Sequence, residues 1–365
     1  MISASISTIS IKEIVDDLLS HIQISSYEAA DQQFAWLLTL EDLDIKVKEQ
    51  PDLIQDFEKF LSLALVEAYT ESPNSEQANW FLQRSLYRIN RLNLFWYDSL
   101  QLYTNERSTY IKEVRDRIES VWQAWELTHV DVQKLPLSEV KQALQERADA
   151  DLNPSISDSK RYLREDMDLM GYRLLLAIAS LDGLVESSRL SRILGGASNE
   201  IHSTLMRVLI EEYGNGRLSR KHSTFFTQMM SELGLRTEPE AYLDLVPWQV
   251  LASINHNFLL TERKRHFLRY NGGLTYFEIA GPAIYTDYLE AAKRMSLSDA
   301  AMSYWELHIR EDERHGQWML TDVALTLADM YPDDAWELVL GYDQEKFMGD
   351  RAAAAVMTLI QNSNF

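Results

Sequence analysis

The run Trp305-Glu-Leu-His308-Ile-Arg-Glu-Asp312-Glu-Arg-His315-Gly-Gln-Trp318 decides how this chain is read. His308, Asp312 and His315 stand at i, i+4 and i+7. At about 3.6 residues per turn they fall on one narrow helical stripe. Two imidazoles and a carboxylate on one helix supply half of a metal site. That donor set suits Fe, Mn or Zn rather than Mg or Ca. The other half has to come from elsewhere in the chain.

The 365 residues allow two or three ordinary domains with a large core. Hydrophobic content of 46% and charged content of 25% are those of a globular protein in water. No apolar run approaches the roughly 20 residues that span a bilayer. The start, Met1-Ile-Ser-Ala-Ser-Ile-Ser-Thr-Ile-Ser, lacks the basic and apolar regions of a secretory signal. Cysteine is absent, which rules out disulfides, thiolate ligands and thiolate-held iron–sulfur clusters. A cytoplasmic protein with no membrane partner is expected. The net charge of −21 argues against a nucleic-acid partner, since phosphate would be repelled. It can attract cationic small molecules, or serve solubility alone.

All 13 glycines lie at or after Gly171. Before that point the periodicity predicts helices over Ile11–Gln23, Ser26–Leu40, Asp52–Thr70, Ser75–Tyr103 and Glu106–Thr128. Ser25, Asn74 and Asn105 are candidate N-caps. Trp36, Trp80, Phe95, Trp96, Trp122 and Trp125 read as packing anchors rather than a cofactor box. The polar stretch Asp149-Ala-Asp-Leu-Asn-Pro154-Ser-Ile-Ser-Asp158 is the expected linker. It divides an N-terminal helical domain, residues 1–150, from a second domain, residues 151–365. In the second, helices are predicted over Lys160–Leu190, Asn199–Tyr213, Lys221–Leu233 and Trp248–Leu259. Gly273–Ala280 and Ala283–Met295 follow, separated by a kink at Gly281-Pro282, then Ser298–Met330 and Gln344–Gln361. Pro332 stops the helix that carries the opening motif. With no hairpin signal and no internal repeat, the class is all-α.

Three further segments carry candidate ligands. The first, Glu211-Glu212-Tyr-Gly214-Asn-Gly216-Arg-Leu-Ser-Arg-Lys-His222, puts a carboxylate at one helix end and an imidazole at the next helix start. Its glycines permit the reversal between them. The second places Glu278 on an otherwise apolar helix, where a carboxylate is costly unless paired or metal-bound. The third is Glu186, again among apolar neighbours. The set is therefore Glu186, Glu212, His222, Glu278, His308, Asp312 and His315. Helical bundles build dinuclear iron or manganese sites from such donors. The ferritin-type pair of Glu-x-x-His motifs does not occur. His21 and His129 lie away from the motif segments, His202 is off the Glu212 stripe, His256 and His266 lack a spaced carboxylate partner, and all five read as ordinary histidines.

Over roughly residues 160–340, the ordered combination Glu212…His222, Gly273…Glu278 and His308-x3-Asp312-x2-His315 resembles the haem-oxygenase-like diiron oxidases, the iron-containing redox enzymes. That resemblance implies a haem-oxygenase-like helical bundle. It also implies a ligand set of Glu212, His222, Glu278, His308, Asp312 and His315. The N-oxygenase branch adds one more carboxylate, and Glu186 stands where that residue is expected. No strand-rich segment follows the helical core before Phe365, so the cupin domain of N-nitrosating members is expected to be missing. N-hydroxylation is expected without the N–N bond-forming step. The N-terminal helices resemble that branch's dimerisation part, which implies a homodimer.

The resemblance implies two iron ions, cycling between Fe(II) and Fe(III), with O2 as cosubstrate and an external electron donor. The expected substrate is a small amine, amino acid or guanidine of specialised metabolism. Arg217, Lys221, Arg269 and Arg314 are candidate partners for a substrate carboxylate. Tyr213, Tyr276 and Tyr304 are candidate pocket residues. Three other readings remain open. One is oxidative cleavage or decarboxylation of an amino acid or fatty acid at the same centre. Another is an enzyme of the same fold that binds haem or acts without metal. The last is a helical interaction protein without catalysis.

Overall fold

A computed structural model of the chain describes residues 26–71, 75–94, 100–196 and 199–362. Helices account for the regular structure, and no strand occurs among the described residues. The contacts divide the chain into two compact units, Met1–Gln123 and Ala124–Phe365. The helix expected at Ile11–Gln23, the caps Ser25 and Asn74, and Phe95, Trp96 and His21 lie outside the described residues.

The first unit contains α1 (Tyr27–Leu37), α2 (Leu43–Glu49), α3 (Asp52–Val66), α4 (Glu76–Leu94) and most of α5 (Thr109–Leu127). Ser26 caps α1 by accepting from Ala29 N. Phe34 and Phe57 stack at 4.6 Å in its core. Buried Asp31 accepts hydrogen bonds from Arg84 and Arg88. Asn105 does not cap α5; its amide donates to the carbonyls of Leu38 and Leu40. Ser108 takes the capping position, accepting from Ile111 N at 3.3 Å. A one-turn 3-10 segment, Leu100–Tyr103, stands where the sequence predicted the end of a longer helix.

The second unit contains α6 (Leu137–Leu152), α7 (Asp158–Glu165), α8 (Leu169–Gly183), α9 (Glu200–Glu212), α10 (His222–Glu232) and α11 (Trp248–Glu262). It continues with α12 (Phe267–Arg294), α13 (Ser303–Trp318), α14 (Leu325–Met330) and α15 (Trp336–Asn362). The sequence placed a boundary near residue 150. The observed division instead leaves α6 in the second unit, because its Val140, Leu144 and Ala148 enter that unit's hydrophobic core. No described helix is long and apolar enough to cross a membrane.

Helix α12 is the spine of this unit, packed between α13 and α15. Glycine makes the close approach to α15 possible. A Cβ on Gly272 would lie 2.0 Å from Leu338 O, and one on Gly341 would lie 2.0 Å from Arg269 O. The kink expected at Gly281-Pro282 does not divide the helix; α12 runs through Pro282. Proline lacks the N–H that would bond the carbonyl four residues back, that of Glu278. That carbonyl faces Gly316 of α13, where a Cβ would sit 3.0 Å from it. Gly316, with Gly281, where a Cβ would lie 3.0 Å from Asp312 Oδ2, thus brings α12 and α13 close at the level of the ligand candidates.

The single helix predicted over Lys160–Leu190 is two. Asp168 accepts from Gly171 N at 2.8 Å and caps α8 as a new start. Helix α8 then ends at Gly183, so Glu186 stands on a turn and not on a helix. Ser187 has φ of 60°, a left-handed conformation that reverses the chain there. The motif helix is also interrupted. After His315 and Trp318 the backbone widens to a π-helix over Met319–Ala324 before α14. Such bulges recur beside functional sites.

Candidate metal centre

The stripe read from the sequence lies inward on α13. His308, Asp312 and His315 are all buried, at 2%, 1% and 0% exposure. Helix α9 delivers Glu212 from its last turn, and α10 delivers His222 from its first. The connection between them needs Gly214. Its φ is 60°, and a Cβ would lie 2.3 Å from the carbonyl carbon of Arg220. Helix α12 supplies Glu278, and the turn after α8 supplies Glu186. All seven candidates converge.

Potential ligand atoms form two groups. Glu186, Glu212, His222 and His308 make one; Glu212, Asp312 and His315 make the other; within each, the atoms lie within 4.8 Å of one another. Glu212 belongs to both. Glu278 stands beside the second group, with Oε2 3.4 Å from His315 Nδ1.

The imidazoles are aimed by atoms outside the cluster. His308 Nδ1 lies 2.9 Å from Tyr304 O, a carbonyl that can only accept, so Nδ1 carries a proton and Nε2 is the nitrogen turned inward, where a metal would displace its proton. That Nε2 faces Glu186 Oε1 at 2.7 Å and His222 Nδ1 at 3.1 Å. His315 Nε2 is 3.0 Å from Glu211 Oε2, which sends its Nδ1 toward Glu278, Glu212 and Asp312. Arg314 donates to Glu211 at 2.8 Å and fixes that carboxylate. The Tyr304 hydroxyl donates to Glu186 Oε1 at 2.7 Å. Ser187 Oγ donates to Glu212 Oε2 at 3.0 Å.

Left to themselves these groups are badly matched. Both oxygens of Asp312 and Oε2 of Glu186 are buried and accept no hydrogen bond. Buried carboxylates in that state are costly. Burial pushes the Asp312 carboxyl well above its usual range, with Glu278 and Glu212 adding to the push against the pull of His308. Burial opposes protonation of His315, yet Glu278, Glu212 and Asp312 outweigh it and push that imidazole up to about 10. Glu212 moves the other way. The imidazoles of His222, His308 and His315 overcome its burial and hold it at about 2. A cluster that draws protons onto His308 and His315 is one that cations would neutralise. Orphaned oxygens, inward-facing imidazole nitrogens and the mixed imidazole–carboxylate set all fit iron.

A cavity of about 290 Å³ opens beside the cluster. Glu186, Glu212, Glu278, His308 and Asp312 face it, with Tyr276 and Tyr304 from the expected pocket residues. Tyr213 does not line it; its ring lies under Lys221. The four expected carboxylate partners are placed elsewhere. Arg217 is exposed, Arg269 pairs with Glu337, Arg314 with Glu211, and Lys221 sits over Tyr213. The lining cation is instead Arg189, which clamps Asp182 at 2.5 and 3.0 Å across the turn carrying Glu186. Sequence reading also missed Glu211, Asn257 and Glu345. Glu345 carried a usable signal, a carboxylate among the apolar residues Leu338, Tyr342 and Met348.

Of the histidines set aside, His256 is buried with Nδ1 3.1 Å from Glu126 Oε1. His129 stacks with Phe347, and His202 bonds its own cap Asn199. Burial, then Arg269, pulls His266 down to about 4. None of them belongs to either ligand group.

An all-α unit whose helices bring buried carboxylates and imidazoles around a shared carboxylate has the donor set of a helical metal centre. Residues 173–344, a stretch that contains all seven ligand candidates, match the family described as iron-containing redox enzymes. The matched stretch lies within the second unit, which is similar to that haem-oxygenase-like family. The chain is also similar to nitrosourea synthase of Streptomyces achromogenes subsp. streptozoticus, 26% identical over 181 residues. That match covers 48% of this chain and 38% of the relative's length.

Proposed function

We propose that this protein is an O2-dependent non-haem diiron N-oxygenase that hydroxylates the nitrogen of a small amine, amino acid or guanidine. The observation that carries the proposal is the sharing of Glu212 between two groups of potential ligands. One ion would take Glu186, Glu212, His222 and His308. The second would take Glu212, Asp312 and His315, with Glu278 beside it. A carboxylate common to both groups would offset part of the charge of each ion.

Bound iron would supply the binding and reductive activation of O2. The chain's own residues do the rest. Tyr304 presents His308 through its carbonyl and steadies Glu186 through its hydroxyl. Glu211 holds the outward proton of His315, so that Nδ1 stays a donor atom toward the cluster. Tyr285, Trp305 and Phe226, all buried, close the apolar side of the cavity and limit water. In the overall reaction one oxygen atom enters the N–H bond and the other leaves as water, with electrons from an external donor. The N-oxygenase assignment rests on Glu186, the extra carboxylate, and on the similarity to a relative whose name describes nitrogen chemistry.

The test is anaerobic loading with Fe(II), metal analysis, exposure to O2 with reductant, and mass spectrometry of candidate amines. A gain of oxygen on nitrogen is expected. Loss of a carbon fragment would replace the proposal with oxidative cleavage. A chain that takes up no iron would leave a non-catalytic helical protein.

A further inference from the structure

The cavity does not end at the metal cluster. It follows α12 away from Glu278 as far as Glu345 of α15 and Asn257 of α11. Glu345 is 7% exposed, and its two oxygens each lie 3.1 Å from Asn257 Nδ2. Six carboxylates line the cavity. Glu186, Glu212, Glu278 and Asp312 belong to the metal cluster, and Asp182 is matched by Arg189. Glu345 is hydrogen-bonded by the Asn257 amide and has no ion pair among the described residues, although the charges of His256 and Arg189 reach it. A buried carboxylate facing a cavity in that condition is a receptor for a cation.

Its position sets the reach. A Cβ on Gly273 would lie 3.3 Å from Glu345 Oε2, so Glu345 sits level with Gly273. Gly273 precedes Glu278 by five residues on α12, roughly 7.5 Å at the rise of an α-helix. Leu274 and Phe277, between Gly273 and Glu278, give the wall along this stretch an apolar character. A short aliphatic chain spans the interval.

Resting on the oxygenase reading, we infer that the substrate carries two cationic nitrogens on a short aliphatic chain, a diamine or guanidinoalkylamine. Glu345, with Asn257, holds the nitrogen that does not react. Glu345 is then the residue that sets specificity, and the reacting nitrogen is delivered to the cluster by the length of the chain.

Isothermal titration of the full chain with putrescine, cadaverine and agmatine, against butylamine and pentylamine, tests this. The dications are expected to bind at least tenfold more tightly than the monoamines. Glu345→Gln should abolish that preference while leaving iron content unchanged. If the Gln variant does not fold, Asn257→Ser probes the same subsite, and should weaken dication binding more than monoamine binding. Equal affinity in the unmodified chain, no binding of any probe, or a preference that survives these substitutions would overturn the inference. Iron uptake, measured separately by metal analysis, reads the oxygenase assignment itself, so the two can fail independently.

Discussion

Replacing Asp312 by asparagine should stabilise the metal-free protein and destabilise the iron-loaded one. Asp312 is 1% exposed, and neither of its oxygens accepts a hydrogen bond. Leaving a buried polar group unsatisfied costs about 1–3 kcal/mol. Asparagine keeps the shape, removes repulsion from Glu212 and Glu278, and offers an amide that can donate to either. Recovery of that cost should raise the Tm of the metal-free chain by roughly 2–12 °C for a unit of this size. With iron present the sign reverses. A ligand that binds only the native state adds about 4 kcal/mol at a thousand times its Kd. The Asn variant forfeits much of that gain because one group loses its carboxylate. Calorimetric melting with and without anaerobic Fe(II) measures both effects, and the order of the two Tm values should cross. A lower Tm for the metal-free variant, or an equal iron-induced rise in both proteins, would refute the reasoning.

The ligand-orienting contact of Glu211 should show in affinity. Glu211→Ala leaves the outward proton of His315 without its acceptor, and iron binding should weaken about 10–100-fold, read by Fe(II) titration. The metal-free protein should lose stability as pH rises. His315 is raised from 6.5 to about 10, so its contribution is complete below pH 6.5 and is lost through about pH 10. Denaturant unfolding across that window should show the decline, and iron should flatten it. Gly214→Ala places a Cβ against the Arg220 backbone at a left-handed position. It should cost about 1–3 kcal/mol or more, lower the Tm and reduce iron uptake, since Glu212 and His222 flank that connection.

Much of the site was legible because helical spacing is a local property. The i, i+4, i+7 pattern places His308, Asp312 and His315 on one face whatever surrounds them. Glu278 announced itself as a charge among apolar residues. Glu186 was identified by residue but placed on the wrong kind of element, since the chain leaves α8 at Gly183 and reverses at Ser187. The break between α7 and α8 hinged on one cap, Asp168, inside a run whose periodicity continues across it. Helix α12 erred in the other direction. Pro282 reads as a breaker, yet the helix passes through it, and the carbonyl it orphans packs against Gly316.

The sequence by itself determined that this protein is helical, that it holds no thiolate chemistry, and that one helix presents two imidazoles and a carboxylate on a single stripe. Those are consequences of composition and of a repeat near 3.6 residues. Only the tertiary structure decided that Glu212 is common to both ligand groups, that Glu211 and Tyr304 aim the imidazoles, and that Glu345 waits at the far end of the cavity. Such relations join atoms from helices distant in the chain. They are set by how closely Gly272, Gly281, Gly316 and Gly341 let those helices approach, which no local pattern encodes.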